Sequence, residues 1–252
     1  MNLTILERPT PLTVKNFKPR LVEELTKLKG ELNTSLKVEQ PAIGLWTRIE
    51  VSGEDSEVMT QLIANKFCLA QMKFNNLDLQ ENYPAQIVGT VARGLSFDMG
   101  MSGARSECII PTTNLRAQLT DGKSTPLKQI VECYCLYQGM RASVRVSRRD
   151  DDAIEAWLAD STVDTFADWI NTGLDRIFVF DCFRTEAESA ILRAHLSRDI
   201  IALKPISLTI QSLICKLGTD AVGLIPKLGH MLRKQPLKPF QPKKITSFCR
   251  PW

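Results

Sequence analysis

Hydrophobic positions change their period twice within the first seventy residues. Leu21, Val22, Leu25, Leu28 and Leu32 recur at helical spacing behind Pro19, with charges between them, which predicts an amphipathic helix opening at that proline. Asn2 to Glu7 reads as a short strand, and Leu45 to Val51 alternates as another. Ser52-Gly-Glu-Asp55 starts a second helix that runs to about Phe67. Polar Asn75 to Asn82 reads as a linker, so residues 1–74 form an N-terminal α/β unit.

The pattern then shortens. Ile87 to Val91, Gly94 to Gly100 and Cys108 to Pro111 are strand candidates separated by turn chemistry. Pro126 opens a helix on Leu127, Ile130, Val131 and Tyr134, for which Gly139 is a candidate stop. Ala142 to Val146 closes this block as a strand. In the last block, residues 152–232, strands are expected at Ile154–Leu158, Arg176–Asp181, Ile200–Ile206 and Leu208–Cys215. Ser161-Thr-Val-Asp164 and Thr185-Glu-Ala-Glu188 have the form of capping boxes, and Thr219-Asp220 caps a final helix to about Leu232 despite Pro226. The fold class is therefore α+β.

Composition adds little until charge is followed along the chain. The net charge is +4, yet no acidic residue follows Asp220, while lysines and arginines continue to Arg250. Pro236, Pro239, Pro242 and Pro251 interrupt that stretch, so residues 233–252 are expected to be a basic, extended tail carrying Phe240, Phe248 and Trp252. Seven scattered cysteines fit reduced, buried thiols, and no apolar run approaches the ~20 residues needed to span a bilayer. The expected setting is cytoplasmic, with no membrane contact.

The middle block resembles an S1 domain, a five-stranded OB barrel that binds single-stranded nucleic acid. Gly89-x-Val91, Gly94-x-x-Phe97-Asp98-x-Gly100, Cys108-Ile-Ile-Pro-Thr-Thr-Asn-Leu115 and Gly139-x-x-Ala-x-Val144-Arg-Val146 carry the likeness, over residues 83–149. It departs from the family where Ser96 and Pro111 stand in place of the usual aromatic residue and histidine, so part of the base-stacking platform is missing. What remains is electrostatic. Arg141, Ser143, Arg145, Ser147 and Arg149 share one face of the closing strand by its period of two, and Arg93 and Arg116 can join it. These arginines are either a phosphate-binding surface or a solvated outer face.

Over most of its length the chain is also similar to an uncharacterised archaeal family classed as a domain of unknown function. The likeness rests on Gly44 to Phe67, Leu115-Arg-Ala-Gln-Leu119-x-Asp-Gly122, Arg198-Asp-Ile-Ile201 and Cys215-Lys-x-Gly-Thr219-x-Ala-x-Gly-Leu-Ile-Pro-Lys227. Genes of that family often neighbour that of an archaeal general transcription factor, so the resemblance implies a role in information processing. It supplies no site residues.

Chemistry has few candidates. The two histidines, His195 and His230, sit near helix ends, where each complements the helix dipole. Cys133-Tyr-Cys135 has no second pair to complete a zinc site, and Asp150-Asp-Asp152 reads as a charged turn rather than a magnesium site. No HExxH, Walker loop or GxGxxG occurs. The expectation is a non-enzymatic protein without cofactor or metal that binds RNA or ribosome or transcription machinery by phosphate and shape contacts. The expected contacts are Arg93, Arg116, Arg141, Arg145, Arg149, Lys238, Lys243, Lys244, Phe248 and Trp252. The alternatives are a protein-interaction adaptor that uses the barrel as a scaffold for a protein partner, and an enzyme whose site is assembled from distant residues.

Overall fold

A computed structural model describes residues 1–39, 42–70, 77–101, 107–149 and 154–248. The N-terminal unit comprises β1 (Asn2–Ile5), α1 (Val14–Lys29), β2 (Thr34–Val38), β3 (Thr47–Gly53) and α2 (Ser56–Phe67). Its strands form an antiparallel sheet in the order β1-β3-β2. The helix expected to open at Pro19 begins five residues earlier, at Val14, and Pro19 lies inside it. The Thr10–Thr13 turn, in which the Thr10 amide donates to Thr13 Oγ1 at 2.9 Å, starts it instead. Phe17, Leu21 and Leu25 are the residues α1 buries, whereas Val22 is exposed.

The central unit is a closed barrel of β4 (Asn82–Val91), β5 (Gly94–Asp98), β6 (Glu107–Pro111), β7 (Arg141–Arg149) and β8 (Ile154–Leu158). The strands follow one another round it in the order β4-β5-β6-β8-β7. Two helices, α3 (Thr112–Leu119) and α4 (Leu127–Tyr134), lie between β6 and β7 in the chain. β7 pairs with β4 on one side and β8 on the other, and β8 returns to β6. β8, which the sequence pattern groups with the last block, belongs to the barrel and completes it. Gly94 is needed because a Cβ there would lie 1.9 Å from the Ile110 carbonyl oxygen on the neighbouring strand. α4 ends at Cys135, which adopts a left-handed φ of 55°, before Gly139 is reached.

The C-terminal unit contains α5 (Asp160–Asn171), β9 (Arg176–Val179), α6 (Arg184–Arg193), β10 (Ile200–Ser207), β11 (Ile210–Cys215), α7 (Ala221–Met231), β12 (Leu237–Phe240) and α8 (Pro242–Phe248). Its sheet runs β10-β11-β9-β12. β9 shows the two-sided burial of a central strand: Ile177 and Val179 join the core under α6 and α7, while Phe178 joins the barrel's core. Asp220 caps α7 by accepting from the amides of Val222 and Gly223, as the sequence suggests. The two expected capping boxes differ. α5 begins at Asp160, so Ser161 lies inside the helix, and at α6 only half a box forms, two residues earlier, with the Phe183 amide donating to Glu186.

The extended tail is a correction. β12 pairs with β9 as the outer strand of the sheet, and α8 packs against α4 and α5. Phe240 is fully buried, with ring centroids 5.6 Å from Trp169 and 6.4 Å from Phe178. The prolines forbid a long helix but allow an edge strand and a helix that begins at Pro242.

Candidate nucleic-acid interface

The arginines expected on the barrel do not form one open surface. Arg141 is taken by the N-terminal unit: its Nη2 lies 2.7 Å from Glu7 Oε1 and donates to the carbonyls of Leu6 and Phe67. Arg145 reaches Asp160 at 3.3 Å, Arg149 donates to the Leu77 carbonyl, and Arg116 donates to that of Thr125. Arg93 alone of the five is placed on an exposed turn, between β4 and β5.

Strand register explains where Arg141 went. Gln86 of β4 stands opposite Asp98 of β5 on one side and Arg141 of β7 on the other, so these three make a row across the barrel's outer surface. Consecutive residues of the N-terminal unit meet the two ends of that row with reciprocal charges, Glu7 on Arg141 and Arg8 on Asp98 at 3.4 Å. The Arg8 guanidinium also lies 4.4 Å from the centre of the Trp46 ring. Gly100, at φ +78°, lets the chain pass under Leu6 and Ala70, where a Cβ would come within 2.5 Å of Ala70 Cβ. All five residues of β5 are buried, so its face is closed to a ligand.

Glu7 is 1 % exposed, and burial raises its carboxyl above its ordinary value while Arg141 and the Leu208 amide oppose that rise. Leu208, whose amide donates to Glu7 Oε1 at 2.6 Å, belongs to the turn between β10 and β11. One carboxylate thus ties all three units together.

The basic residues of the chain's end are brought together, though not as a tail. Lys243, Lys244 and Phe248 on α8 border a hollow of about 600 Å³ with Lys216 and Gln241. Among the described residues no carboxylate forms an ion pair with any of the three lysines. Two aspartates share the hollow but are occupied. Asp175 accepts from the Ala221 amide, Asp220 accepts from the next two, and Gln241 Nε2 donates to both. Three ammonium groups thus share the hollow with two carboxylates, an excess of positive charge beside the half-exposed Phe248 ring.

Lys238 lies elsewhere, its Nζ 4.6 Å from the centre of the Tyr137 ring. Trp252 and the Asp150–Asp152 run lie outside the described residues. Lys216 was missed because it follows a buried strand in sequence, and only the fold of α8 onto the sheet sets it beside Lys243.

Burial pushes the Cys182 and Cys215 thiols up to about 12 and the Cys135 thiol higher still, so none is a thiolate at neutral pH. Among the described residues no three His, Cys, Asp or Glu side chains gather as a metal site. His195 and His230 are both exposed.

The sheet that carries Lys216 has a known relative. Residues 174–237 match the family model of the DUF2110 C-terminal domain, a domain of unknown function. The match runs from just before β9 to the first residue of β12 and includes Asp175, Lys216 and Asp220, whereas α8 lies beyond it. No curated protein matches the chain. Among the described residues no helix is long and apolar enough to cross a membrane.

Proposed function

We propose that the protein binds RNA, alone or within a ribonucleoprotein, through phosphate contacts at the hollow of Lys216, Lys243 and Lys244. The observation that carries this reading is three lysines without ion-pair partners around one hollow, beside a half-exposed phenylalanine ring. Lysines neutralise phosphates and release counterions, and an exposed ring offers a face for a base. The barrel's strand order supports an OB-type, S1-like reading, but its β5 face is covered, so the barrel acts as the scaffold. The likeness to an archaeal family points the role toward transcription or translation.

Fluorescence anisotropy with a short single-stranded RNA over a salt series tests the proposal. Neutralising about three phosphates gives a slope of log K against log salt near −2. Lys216→Glu/Lys243→Glu/Lys244→Glu should abolish binding while leaving the melting curve unchanged. An undiminished slope in that variant overturns the reading.

A second reading, a protein-interaction adaptor, is favoured by the covered β5 face, which leaves the barrel no ligand surface of its own there. Binding that is insensitive to salt and retained with protein partners alone would select it.

A further inference from the structure

A cleft of about 270 Å³ lies where the three units meet, walled by Phe67 at the end of α2 and by Phe183 just before α6. Glu7 lines it. Its Oε1 takes both Arg141 and the Leu208 amide. Gln211, also 1 % exposed, lines the same cleft. Its Nε2 donates to the Cys182 and Leu208 carbonyls, while its Oε1 has no partner. Buried polar atoms are normally paired, so an unpaired acceptor beside the cleft points to a donor that occupies it.

The opposite requirement appears at α6. The residue at its N-cap is Phe183, which has no side-chain oxygen to offer, and the first-turn amides of Arg184 and Thr185 donate no hydrogen bond. Both residues line the cleft, as do the ion pairs of Lys66 with Glu24 and of Arg184 with Glu188. A ten-residue helix whose N-cap side chain offers no acceptor presents donors and partial positive charge to an anion.

Charge selects among ligands that could satisfy both ends. Arg141 already balances Glu7, so a cationic head group would be pressed against a buried guanidinium. A neutral N–H donor on a flat body fits the Gln211 acceptor and the aromatic walls, and an anionic group fits α6. We propose that this cleft binds a nucleoside phosphate, with the amino group of the base on Gln211 Oε1 and the phosphate at the α6 N-terminus. The cleft shares no residue with the Lys216–Lys243–Lys244 hollow, so this inference does not rest on the RNA-binding reading.

Isothermal titration of the full chain with AMP, adenosine and inorganic phosphate tests it, with phosphorylated and unphosphorylated forms of one RNA oligonucleotide in parallel. AMP is expected to bind one to one, and about tenfold more tightly than either of its parts. Binding by the phosphorylated RNA alone would identify an RNA end as the source of the same group. Thr185→Pro removes one first-turn amide where proline is tolerated, and Lys66→Glu reverses a charge that lines the cleft. Each should weaken AMP about fivefold or more in protein that circular dichroism shows to be folded, whereas Lys243→Glu/Lys244→Glu should leave AMP binding unchanged. Gln211→Met, if circular dichroism shows it folded, should also weaken it. No binding of AMP or phosphorylated RNA at millimolar concentration overturns the proposal. So does binding that Thr185→Pro and Lys66→Glu leave intact.

Discussion

Glu7 and Arg141 meet at 2.7 Å in a site where Glu7 is 1 % exposed, and the next residue, Arg8, makes the reciprocal contact with Asp98. The first-strand segment of the chain thereby clips across three strands of the barrel.

Removing one member of that pair leaves the other buried and uncompensated. Arg141→Ala is expected to destabilise the protein by about 3–5 kcal/mol in urea unfolding, and Glu7→Gln/Arg141→Met to recover much of the loss. A loss in the double variant as large as in the single one would show that the ion pair is not the source.

Stability should also depend on pH through Glu7. Its folded-state carboxyl is raised, so in the window between the ordinary and the folded value the folded protein binds the extra proton. Stability from this group is therefore present at low pH and lost as pH rises through the folded value. Glu7→Gln lacks this titration, so the wild type's advantage over it should widen as pH falls through that window. Urea midpoints of both proteins across that range check the sign.

Gly100 is fixed by both conformation and space. Gly100→Ala places a Cβ at φ +78° against Ala70 and should cost about 1–3 kcal/mol, measured by thermal unfolding. Gly122, also at positive φ but with open space around it, should lose less on the same substitution.

The chain's end should behave as core. Phe240→Ala is expected to cost about 3–5 kcal/mol, and truncation after Leu232 should expose the barrel-facing side of β9 and yield aggregation-prone protein. Lys238→Ala, by contrast, removes a half-buried contact with Tyr137 worth about 0.5–1 kcal/mol and should leave RNA affinity unchanged. Denaturation curves and anisotropy titrations separate the two.

Local signals carried much of this fold. Asp220 capped α7 as written, Pro126 preceded α4, and the β10–β11 pairing followed from two adjacent β-branched runs. Period-two alternation also placed Arg141 on the outer face of β7 correctly. What it could not convey is which segment covers that face, because Glu7 reaches it through tertiary docking. The end of the chain misled for a related reason. Proline spacing excludes a long helix in isolation, but an edge strand needs only a partner, and β9 supplies one. Lys216 became visible as a site residue only once α8 was seen to fold back onto the sheet.

Photo-crosslinking of the full chain to single-stranded RNA, followed by mass spectrometry of the peptide adducts, tests the central claim most directly. Adducts on α8 around Lys243 to Phe248 and on the peptide containing Lys216, absent from β5 and β6, are the expected result. Adducts concentrated on the barrel with none at α8 would contradict it.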